Sequence, residues 1–188
     1  MDGRVTEPDF QPILSNAAVA LRPLEAGDWP ALYAVASDPL IWAVHPAHDR
    51  WQEPVFRAYF DAGLVSGGAL VAIDPANGAI IGSSRFDTSR ANPGEVEIGW
   101  TFLARSHWGG ATNAAMKALM VGHALLHFDR VIFLIGEANI RSRHALEKIG
   151  GTLTSREDMA VIAGVAVRHV IYTIDRESFA AGPLPAHL

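Results

Sequence analysis

The sequence predicts a mixed α/β fold: a largely antiparallel, twisted sheet of about seven strands, with a central parallel strand–helix–strand crossover and about four helices. Three features support this class. Strand and helix patterns alternate in the middle of the chain, and pairs of strands joined by tight turns flank them on both sides. In addition, residues 131–135 are all apolar, which is typical of a strand covered on both faces.

The predicted strands are short apolar or alternating segments bounded by turn residues. They cover residues 17–22, 69–73, 79–86, 95–103, 131–135, 152–162 and 165–174. The segment 74–78 contains aspartate, proline, asparagine and glycine, so it forms a turn between two neighbouring strands. Ala163 and Gly164 join the last two strands. Hairpins are therefore expected on both sides of the central crossover.

The four predicted helices cover residues 29–37, 53–64, 110–127 and 139–149. Asp28 and Pro30 mark the start of the first helix, and Gly150 follows the last one. The third helix has Lys117 as its only charged residue, and apolar side chains surround nearly its whole circumference. We therefore expect the third helix to be buried.

The composition fits one compact domain over residues 17–176, between a flexible N-terminal arm (1–16) and a C-terminal tail (177–188). The 188 residues include no cysteine, which excludes a disulfide framework, a thiolate zinc site and a cysteine nucleophile. The net charge of −5 argues against nucleic acid or an anionic membrane as a partner. The first residues are too polar for a signal peptide, so we expect a cytoplasmic location.

The segment 106–113, which leads from a strand into the third helix, is predicted to bind an anion. The first amides of a helix lack partners, and the helix dipole adds partial positive charge there. Gly109 and Gly110 allow a ligand to approach the backbone, and Arg105, His107 and Lys117 make the neighbourhood basic. A phosphorylated ligand would suit this site. Alternatively the two glycines only form a tight connection, and neither a P-loop nor a dinucleotide-binding fingerprint is present.

Four short motifs follow one another along the chain. They are Leu21-Arg-Pro-Leu24, Glu97-Ile-Gly-Trp100, Trp108-Gly-Gly-Ala111, and the segment with Asn139 and Ser142 that ends in Glu147-Lys-Ile-Gly150. Their order and spacing resemble the GNAT superfamily of N-acetyltransferases, in particular the branch of ribosomal-protein N-terminal acetylases. The resemblance covers about residues 17–175 and implies the GNAT fold, with acetyl-CoA as the co-substrate.

The resemblance also implies which residues bind the coenzyme. The loop over 106–113 would wrap the CoA diphosphate with its amides, and an amide near Phe102 would polarise the thioester. The implied cofactor-binding residues are Phe102, Leu103, Ser106, Trp108, Gly109, Gly110, Ala111, Thr112, Asn113, Asn139 and Ser142. Ser106 departs from the family pattern, which has glutamine or arginine there. Asn139 has a second interpretation, because it can simply cap the helix that it begins.

Two residues are candidates for proton transfer. Glu97 is the candidate base, and the face that it shares with Gly99 leaves room for a substrate. Strand alternation puts one set of side chains on that face, namely Glu95, Glu97, Gly99 and Thr101, and another set on the opposite face, namely Val96, Ile98, Trp100 and Phe102. Alternatively Glu97 accepts an ion pair from a neighbouring strand, with Arg85 as the partner. Ser142 is the candidate acid, because Leu146 occupies the position where many family members carry a tyrosine.

The leading hypothesis is an N-acetyltransferase that moves an acetyl group from acetyl-CoA to a primary amine by direct attack in a ternary complex. The acceptor is a peptide N-terminus or a small-molecule amine. Neutralising an α-amine with a pKa of about 7.8 costs about 1 kcal/mol at pH 7, against roughly 4 kcal/mol for a lysine amine, so a weak base serves the α-amine more easily. A non-catalytic acyl-CoA-binding or sensing protein and another phosphate-ligand enzyme are the alternatives.

Other features of the sequence are less informative about function. His123 and His127 lie one helical turn apart without an evident third ligand, so no metal is expected. Two loops, at about 40–53 and 89–94, are expected to shape the acceptor pocket, but they contain no recognisable sequence motif. The sequence leaves open whether the chain works as a monomer or as a homodimer.

Overall fold

The computed structural model describes residues 7–162 and 164–188. The strands in these ranges are β1 (Leu14–Ser15), β2 (Ala20–Pro23), β3 (Ala69–Ile73), β4 (Ile80–Asp87), β5 (Glu95–Leu103), β6 (Arg130–Gly136), β7 (Thr152–Ile162) and β8 (Val165–Asp175). The α-helices are α1 (Trp29–Ala36), α2 (Pro39–Trp42), α3 (Glu53–Ser66), α4 (Thr112–Ala124), α5 (Ile140–Lys148) and α6 (Arg176–Ala181). Ala163 of the predicted last turn and residues 1–6 of the predicted arm lie outside the described residues.

The strands form a sheet with the spatial order β1-β2-β3-β4-β5-β6-β8-β7. Neighbouring strands are antiparallel except for β5 and β6, which are parallel and are joined through α4. The mixed α/β class with one central parallel crossover is thus confirmed. The described sheet has eight strands instead of about seven, because β1 was not predicted: it is only two residues long and shows no strand pattern. Helices α2 and α6 were not predicted either, because they are too short to show a helical period in the sequence.

The sheet separates two apolar cores. On one face α4 and α5 pack against alternate residues of the central strands, with Met116 and Met120 fully enclosed. On the other face α1, α2 and α3 build an aromatic cluster around Trp42 and Phe56. Residues 115–121 of α4 are all buried, which confirms the predicted burial of this helix. Within the described ranges, none of the helices combines the length and apolarity needed to cross a membrane.

Both ends of the described chain pack against the sheet and its helices, which differs from the expected arm and tail. The Phe10 ring lies 6.4 Å from the Phe86 ring and 6.0 Å from the Phe128 ring, measured between centroids. Near the C-terminus Leu184 is 1% exposed and joins the core that surrounds α4. These apolar contacts extend the folded region beyond the predicted bounds of 17–176. That the chain forms one domain stays a prediction.

A bulge in β5 changes which side chains face each core. The register between β4 and β5 shifts between Ser83 and Arg85, and Trp100 has a φ of 51°. An extra residue in one strand of a pair reverses the alternation beyond it. Phe102 therefore joins the aromatic cluster, and Thr101 faces α4. The expected alternation along this strand is wrong beyond Gly99.

Lys117 carries a buried amine in the middle of α4. The residue is 5% exposed, and its Nζ donates a hydrogen bond of 2.7 Å to Thr101 Oγ1. The same Nζ lies 5.5 Å from the centroid of the Phe133 ring. Burial lowers the pKa of Lys117 to about 7. Lys117 thus points between β5 and β6, and it does not add charge at the start of α4 as the sequence suggested.

Lys117→Met is expected to raise the Tm at pH 7. The amine has a pKa of 10.5 in the unfolded chain and of about 7 in the folded one, so the unfolded chain binds the extra proton between these values. The free energy of unfolding of the wild type therefore rises between pH 7 and pH 10, and the buried amine costs several kcal/mol, on the order of 5, at pH 7. Methionine fills a similar volume, and the Ser84 and Thr101 hydroxyls still pair with each other at 2.8 Å.

The measurement is the Tm of wild type and variant from pH 6 to pH 10. The expected result is a higher and flatter profile for the variant. A variant that is less stable than the wild type at pH 7, with the same pH slope, would contradict the assignment.

Candidate active site

The strands β5 and β6 diverge after a short parallel contact. Their paired residues run only from Glu95 with Arg130 to Glu97 with Ile132, whereas β5 continues to residue 103 and β6 to residue 136. A gap therefore opens at the centre of the sheet. In the described part of the chain, the backbone groups along its edges have no partner strand, so they can hold an extended ligand that contains amides.

The register of β4 and β5 determines which amides of β5 face this gap. The Ala104 amide donates to the Ile81 carbonyl at 2.7 Å, and two positions earlier Phe102 again lies opposite β4. Since alternate residues of an antiparallel strand bond to the partner, the amides of Thr101 and Leu103 face the gap. The amide of Phe102 itself is directed to β4. The amides near Phe102 that could contact a ligand in the gap are therefore those of its two neighbours.

A short loop leads from β5 into α4. It begins with a 3-10 turn at Arg105–His107, after which the Trp108 indole donates to the Leu103 carbonyl at 2.9 Å. Gly109 follows with a φ of 74°, a backbone conformation that glycine adopts at no steric cost. The indole contact and this turn fix the direction in which the chain enters the helix.

The first amides of α4 are free. Among the described residues, none accepts a hydrogen bond from the backbone amides of residues 109–113, and Ala115 is the first to bond back, to Ala111. No side chain of residues 7–162 or 164–188 caps the helix, and a Cβ placed at Gly110 would meet none of their atoms within 4 Å. This exposed turn therefore has the amides, the helix dipole and the space that an anion requires.

Positive charge reaches the loop from a different residue than the sequence suggested. Arg105 is paired with Asp38 at 2.5 Å, so its charge is already compensated. Instead, the Arg141 guanidinium stacks on Trp108, with its Cζ 4.2 Å from the ring centroid. Arg141 also donates to the Ile41 carbonyl at 3.0 Å. The start of α5 thus contributes a cation beside the first turn of α4.

Asn139 and Ser142 meet at the first turn of α5. The Asn139 Oδ1 accepts a hydrogen bond of 3.2 Å from the Ser142 amide, so the capping role is confirmed. This contact uses the backbone of Ser142 and leaves its half-buried side chain out of the cap. Leu146 lies in the core at 4% exposure. The position that many relatives fill with tyrosine therefore has no polar group here.

Glu97 lies on β5 where its pairing with β6 ends. The residue is 1% exposed, and Arg90 donates to both carboxylate oxygens, at 2.7 and 3.1 Å. An ion pair at Glu97 was one of the two expectations, but Arg85 as its partner is wrong. Burial raises the pKa of Glu97 to about 7, although the contact with Arg90 favours the charged form. A carboxylate with this pKa can accept a proton near neutral pH.

A cavity of about 280 Å³ lies beside the bulge in β5. Helix α3, the segment before it and the two strands β4 and β5 contribute its lining residues, which are Ala47, Asp49, Arg50, Val55, Tyr59, Ala62, Arg85 and Trp100. The Tyr59 hydroxyl donates to the Trp100 carbonyl at 2.5 Å and holds the bulge from this side. Trp100 lies three residues beyond Glu97, the last residue of β5 that pairs with β6, so the cavity and the gap adjoin the same part of β5. The loop at 40–53 thus lines a pocket beside the gap.

The histidines considered as metal ligands have other contacts. His123 Nε2 bonds to the Asp9 carbonyl at 2.7 Å, and the rings of His123 and His127 are 5.9 Å apart. In the part of the chain that the structure describes, no three His, Cys, Asp or Glu side chains are grouped as a metal site would need.

Comparison with known families identifies the class of protein that this fold and site represent. Residues 19–152 match the model of the acetyltransferase (GNAT) domain, which is more than half of the chain. The chain therefore belongs to the GNAT acetyltransferases, and acetyl-CoA is its co-substrate. A search of curated proteins returned no match.

Several solved structures share this fold. The GCN5-related N-acetyltransferase from Brucella melitensis superposes with a TM-score of 0.78 at 20% identity, over 91% of this chain and 81% of its own. RimJ of Mycobacterium smegmatis, in complex with CoA-disulfide, has a TM-score of 0.67 at 18% identity, over 90% and 87%. Spermidine N-acetyltransferase from Vibrio cholerae, in complex with CoA and spermine, has a TM-score of 0.67 at 14% identity, over 88% and 99%. At these identities the likeness concerns the fold.

Sequence reasoning missed the residues that line the cavity. Tyr59 lies on an amphipathic helix, and Arg50 lies in a loop with no motif, so neither carries a local signal. Arg85 had one, because it is a charged residue inside the buried run of β4. A cation in such a position has either a carboxylate partner or a ligand. The sequence suggested only the first of these two possibilities, with Glu97 as the partner.

Proposed function

We propose that this protein transfers the acetyl group of acetyl-CoA to a primary amine by direct attack within a ternary complex. The observation that carries the proposal is the position of the gap between β5 and β6. A helix start with free amides lies at the end of β5, and a cavity lies beside the bulge in the same strand. Donor and acceptor can therefore meet at the gap without a covalent enzyme intermediate.

The donor is proposed to bind along the end of β5. The amides of residues 109–113 bind the diphosphate, and Arg141 adds positive charge beside them. The amides of Thr101 and Leu103 bind the pantetheine arm and polarise the thioester carbonyl. This arrangement fixes the carbonyl carbon opposite the cavity, and positioning of this kind supplies much of the rate of a two-substrate reaction.

Two side chains are proposed to move the protons. Glu97 accepts a proton from the acceptor ammonium, directly or through one water, because its pKa of about 7 matches an α-amine better than a lysine. Arg90 contacts both carboxylate oxygens, and each oxygen keeps a further lone-pair site that can accept this proton. Ser142 then relays to the leaving thiolate the second proton, which the nitrogen loses after its attack, so that the hydroxyl is regenerated and the thiol departs. The acceptor is a peptide N-terminus or a small amine.

The experiment that tests the transferase proposal is thiol release from acetyl-CoA in the presence of a panel of primary amines. An acetyltransferase gives release above hydrolysis with at least one amine and an acetylated product of the expected mass. A non-catalytic CoA-binding protein is the second candidate. It is favoured by the buried Leu146 and by the double contact of Arg90 with Glu97. Binding of CoA without any amine-dependent release would support this second candidate.

Ser142→Ala is expected to lower kcat about a hundredfold while the Kd for CoA stays within about twofold of the wild type. The cap of α5 uses the backbone amide of Ser142, so alanine leaves the helix start intact. Steady-state kinetics and a CoA titration of the same sample separate the two effects. An unchanged kcat would show that water protonates the thiolate.

A further inference from the structure

We infer that the acceptor amine carries a carboxylate, and that Arg85 and Arg50 bind this carboxylate in the cavity beside the β5 bulge. The inference rests on the proposed function, because it names the substrate class of the same site. The acceptor is therefore an amino acid or a similar small primary amine with a negatively charged group. The inference rests on the two guanidinium groups and on the aromatic side chains of Tyr59 and Trp100 beside them.

Arg85 is a buried cation without an anionic partner among the described residues. It is 6% exposed and lines the cavity, and no carboxylate in the described residues lies within salt-bridge distance of it. Its Nε is enclosed by protein without an acceptor, so a ligand would reach the terminal nitrogens of the guanidinium group. The two carboxylates whose charge acts on Arg85, those of Asp87 and Glu97, already accept hydrogen bonds from Ser89 and Arg90, respectively. An unpaired buried guanidinium is costly, so a ligand carboxylate would supply what the protein lacks.

Arg50 approaches the same cavity from the segment before α3. Its Cζ lies 4.9 Å from the centroid of the Tyr59 ring and 5.4 Å from that of Trp42. Burial lowers its pKa, and no described carboxylate pairs with it within salt-bridge distance. Asp49 also lines the cavity, so the charged lining residues sum to one positive charge. The cavity is therefore cationic in a protein whose net charge is −5.

Aromatic rings hold the two guanidinium groups in place. The Arg85 Cζ lies 4.6 Å from the centroid of the Trp100 ring. The Tyr59 ring centroid lies 4.9 Å from the Arg50 Cζ and 6.0 Å from the Arg85 Cζ, and the Tyr59 hydroxyl donates to the Trp100 carbonyl. Stacking fixes the planes of the guanidinium groups and leaves their N–H edges free for a planar, bidentate acceptor. A carboxylate has this geometry, whereas an ammonium group would be repelled.

The position of the cavity decides which end of the acceptor enters it. Arg85 lies opposite Gly99 on β5, and Trp100 borders the gap where the thioester would lie. An acceptor whose carboxylate is bound at Arg85 would direct its amine towards the gap. A volume of about 280 Å³ suits a small molecule. A polyamine, by contrast, would bring a second positive charge next to two arginines.

The test uses matched acceptors. Free amino acids, their primary amides and the corresponding decarboxylated amines are compared by thiol release from acetyl-CoA. The expected result is a kcat/KM for the preferred amino acid at least about tenfold above that for its amide and its amine. Isothermal titration of the CoA-loaded protein with the same compounds measures the preference without turnover.

The variants are Arg85→Gln and Arg50→Gln, with Arg57→Gln as the matched control. Arg57 also stacks on an aromatic ring, but it is exposed, pairs with Asp61 and does not line the cavity. Each of the first two variants is expected to abolish the preference for acids and to keep the affinity for CoA, whereas the control keeps both. If Arg85→Gln does not fold, the preference for acids over amides and amines is measured in Arg50→Gln and Arg85→Lys instead.

The possible outcomes separate the two proposals. Amides and amines that bind and react as well as the acids would overturn the carboxylate assignment and leave the transferase standing. The same holds if Arg85→Gln keeps the preference for acids. Specific binding of acids without any thiol release would remove the transferase proposal and support the carboxylate site.

Discussion

Gly110→Glu is expected to abolish CoA binding. The backbone amides of residues 109–113 are free, and the added carboxylate would lie where the diphosphate is proposed to bind. Like charges in contact cost several kcal/mol, so the Kd is expected to rise more than about a hundredfold, which corresponds to about 3 kcal/mol. A CoA titration followed by calorimetry measures the change directly.

The matched control is Gly110→Gln, which adds the same volume without the charge. A side chain at this position meets nothing within 4 Å, and Gly110 does not have a positive φ, so both variants are expected to fold with the Tm of the wild type. The glutamine variant is expected to lose no more than about tenfold in affinity. Equal affinity of the glutamate variant and the wild type would mean that the diphosphate binds elsewhere.

Glu97→Gln is expected to lower kcat/KM about a hundredfold near pH 7.5 and progressively less at higher pH. Glutamine has the shape of glutamate but cannot accept the proton of the ammonium group. At high pH the acceptor amine loses its proton to solvent, so the base becomes dispensable. In the wild type, activity is expected to fall below pH 7, because Glu97 with its pKa of about 7 becomes protonated there.

Glu95→Gln is the matched control for Glu97→Gln. Glu95 precedes Glu97 by two residues on the same strand, is also buried, at 7% exposure, and is paired with Arg156 at 2.8 Å. Its replacement is expected to leave the shape of the pH profile unchanged. Arg90→Gln is expected to raise the pKa of Glu97 and to move the acid limb of the wild-type profile to higher pH. A wild-type to Glu97→Gln ratio that is constant across pH would assign Glu97 a structural role only.

The positions of the strands could be read from the sequence, but the direction of their side chains could not. The predicted bounds of β3, β5 and β7 coincide with those observed, because turn residues delimit each of them. The bulge at Trp100 left no trace in the sequence, since its positive φ occurs at a tryptophan and not at a glycine. The side chains that follow Gly99 on β5 therefore lie on the face of the sheet opposite to the predicted one.

The two halves of the candidate site differ in how predictable they were. The loop before α4 is a local feature of consecutive residues, so its glycines and free amides could be predicted. The cavity is assembled from Arg50, Tyr59, Arg85 and Trp100, which come from four separate elements and meet only through the tertiary fold. The same reason explains why Arg85 was assigned to Glu97, although Arg90 forms that ion pair.

The most direct test is an amide-resolved NMR titration of the ¹⁵N-labelled protein with CoA and with pantetheine, which lacks the diphosphate. CoA is expected to shift the amide resonances of Gly109 to Asn113 strongly, whereas pantetheine is expected to shift Thr101 and Leu103 and to leave the start of α4 unchanged. If CoA binds and the resonances of Gly109 to Asn113 do not move, the first turn of α4 is not the diphosphate site.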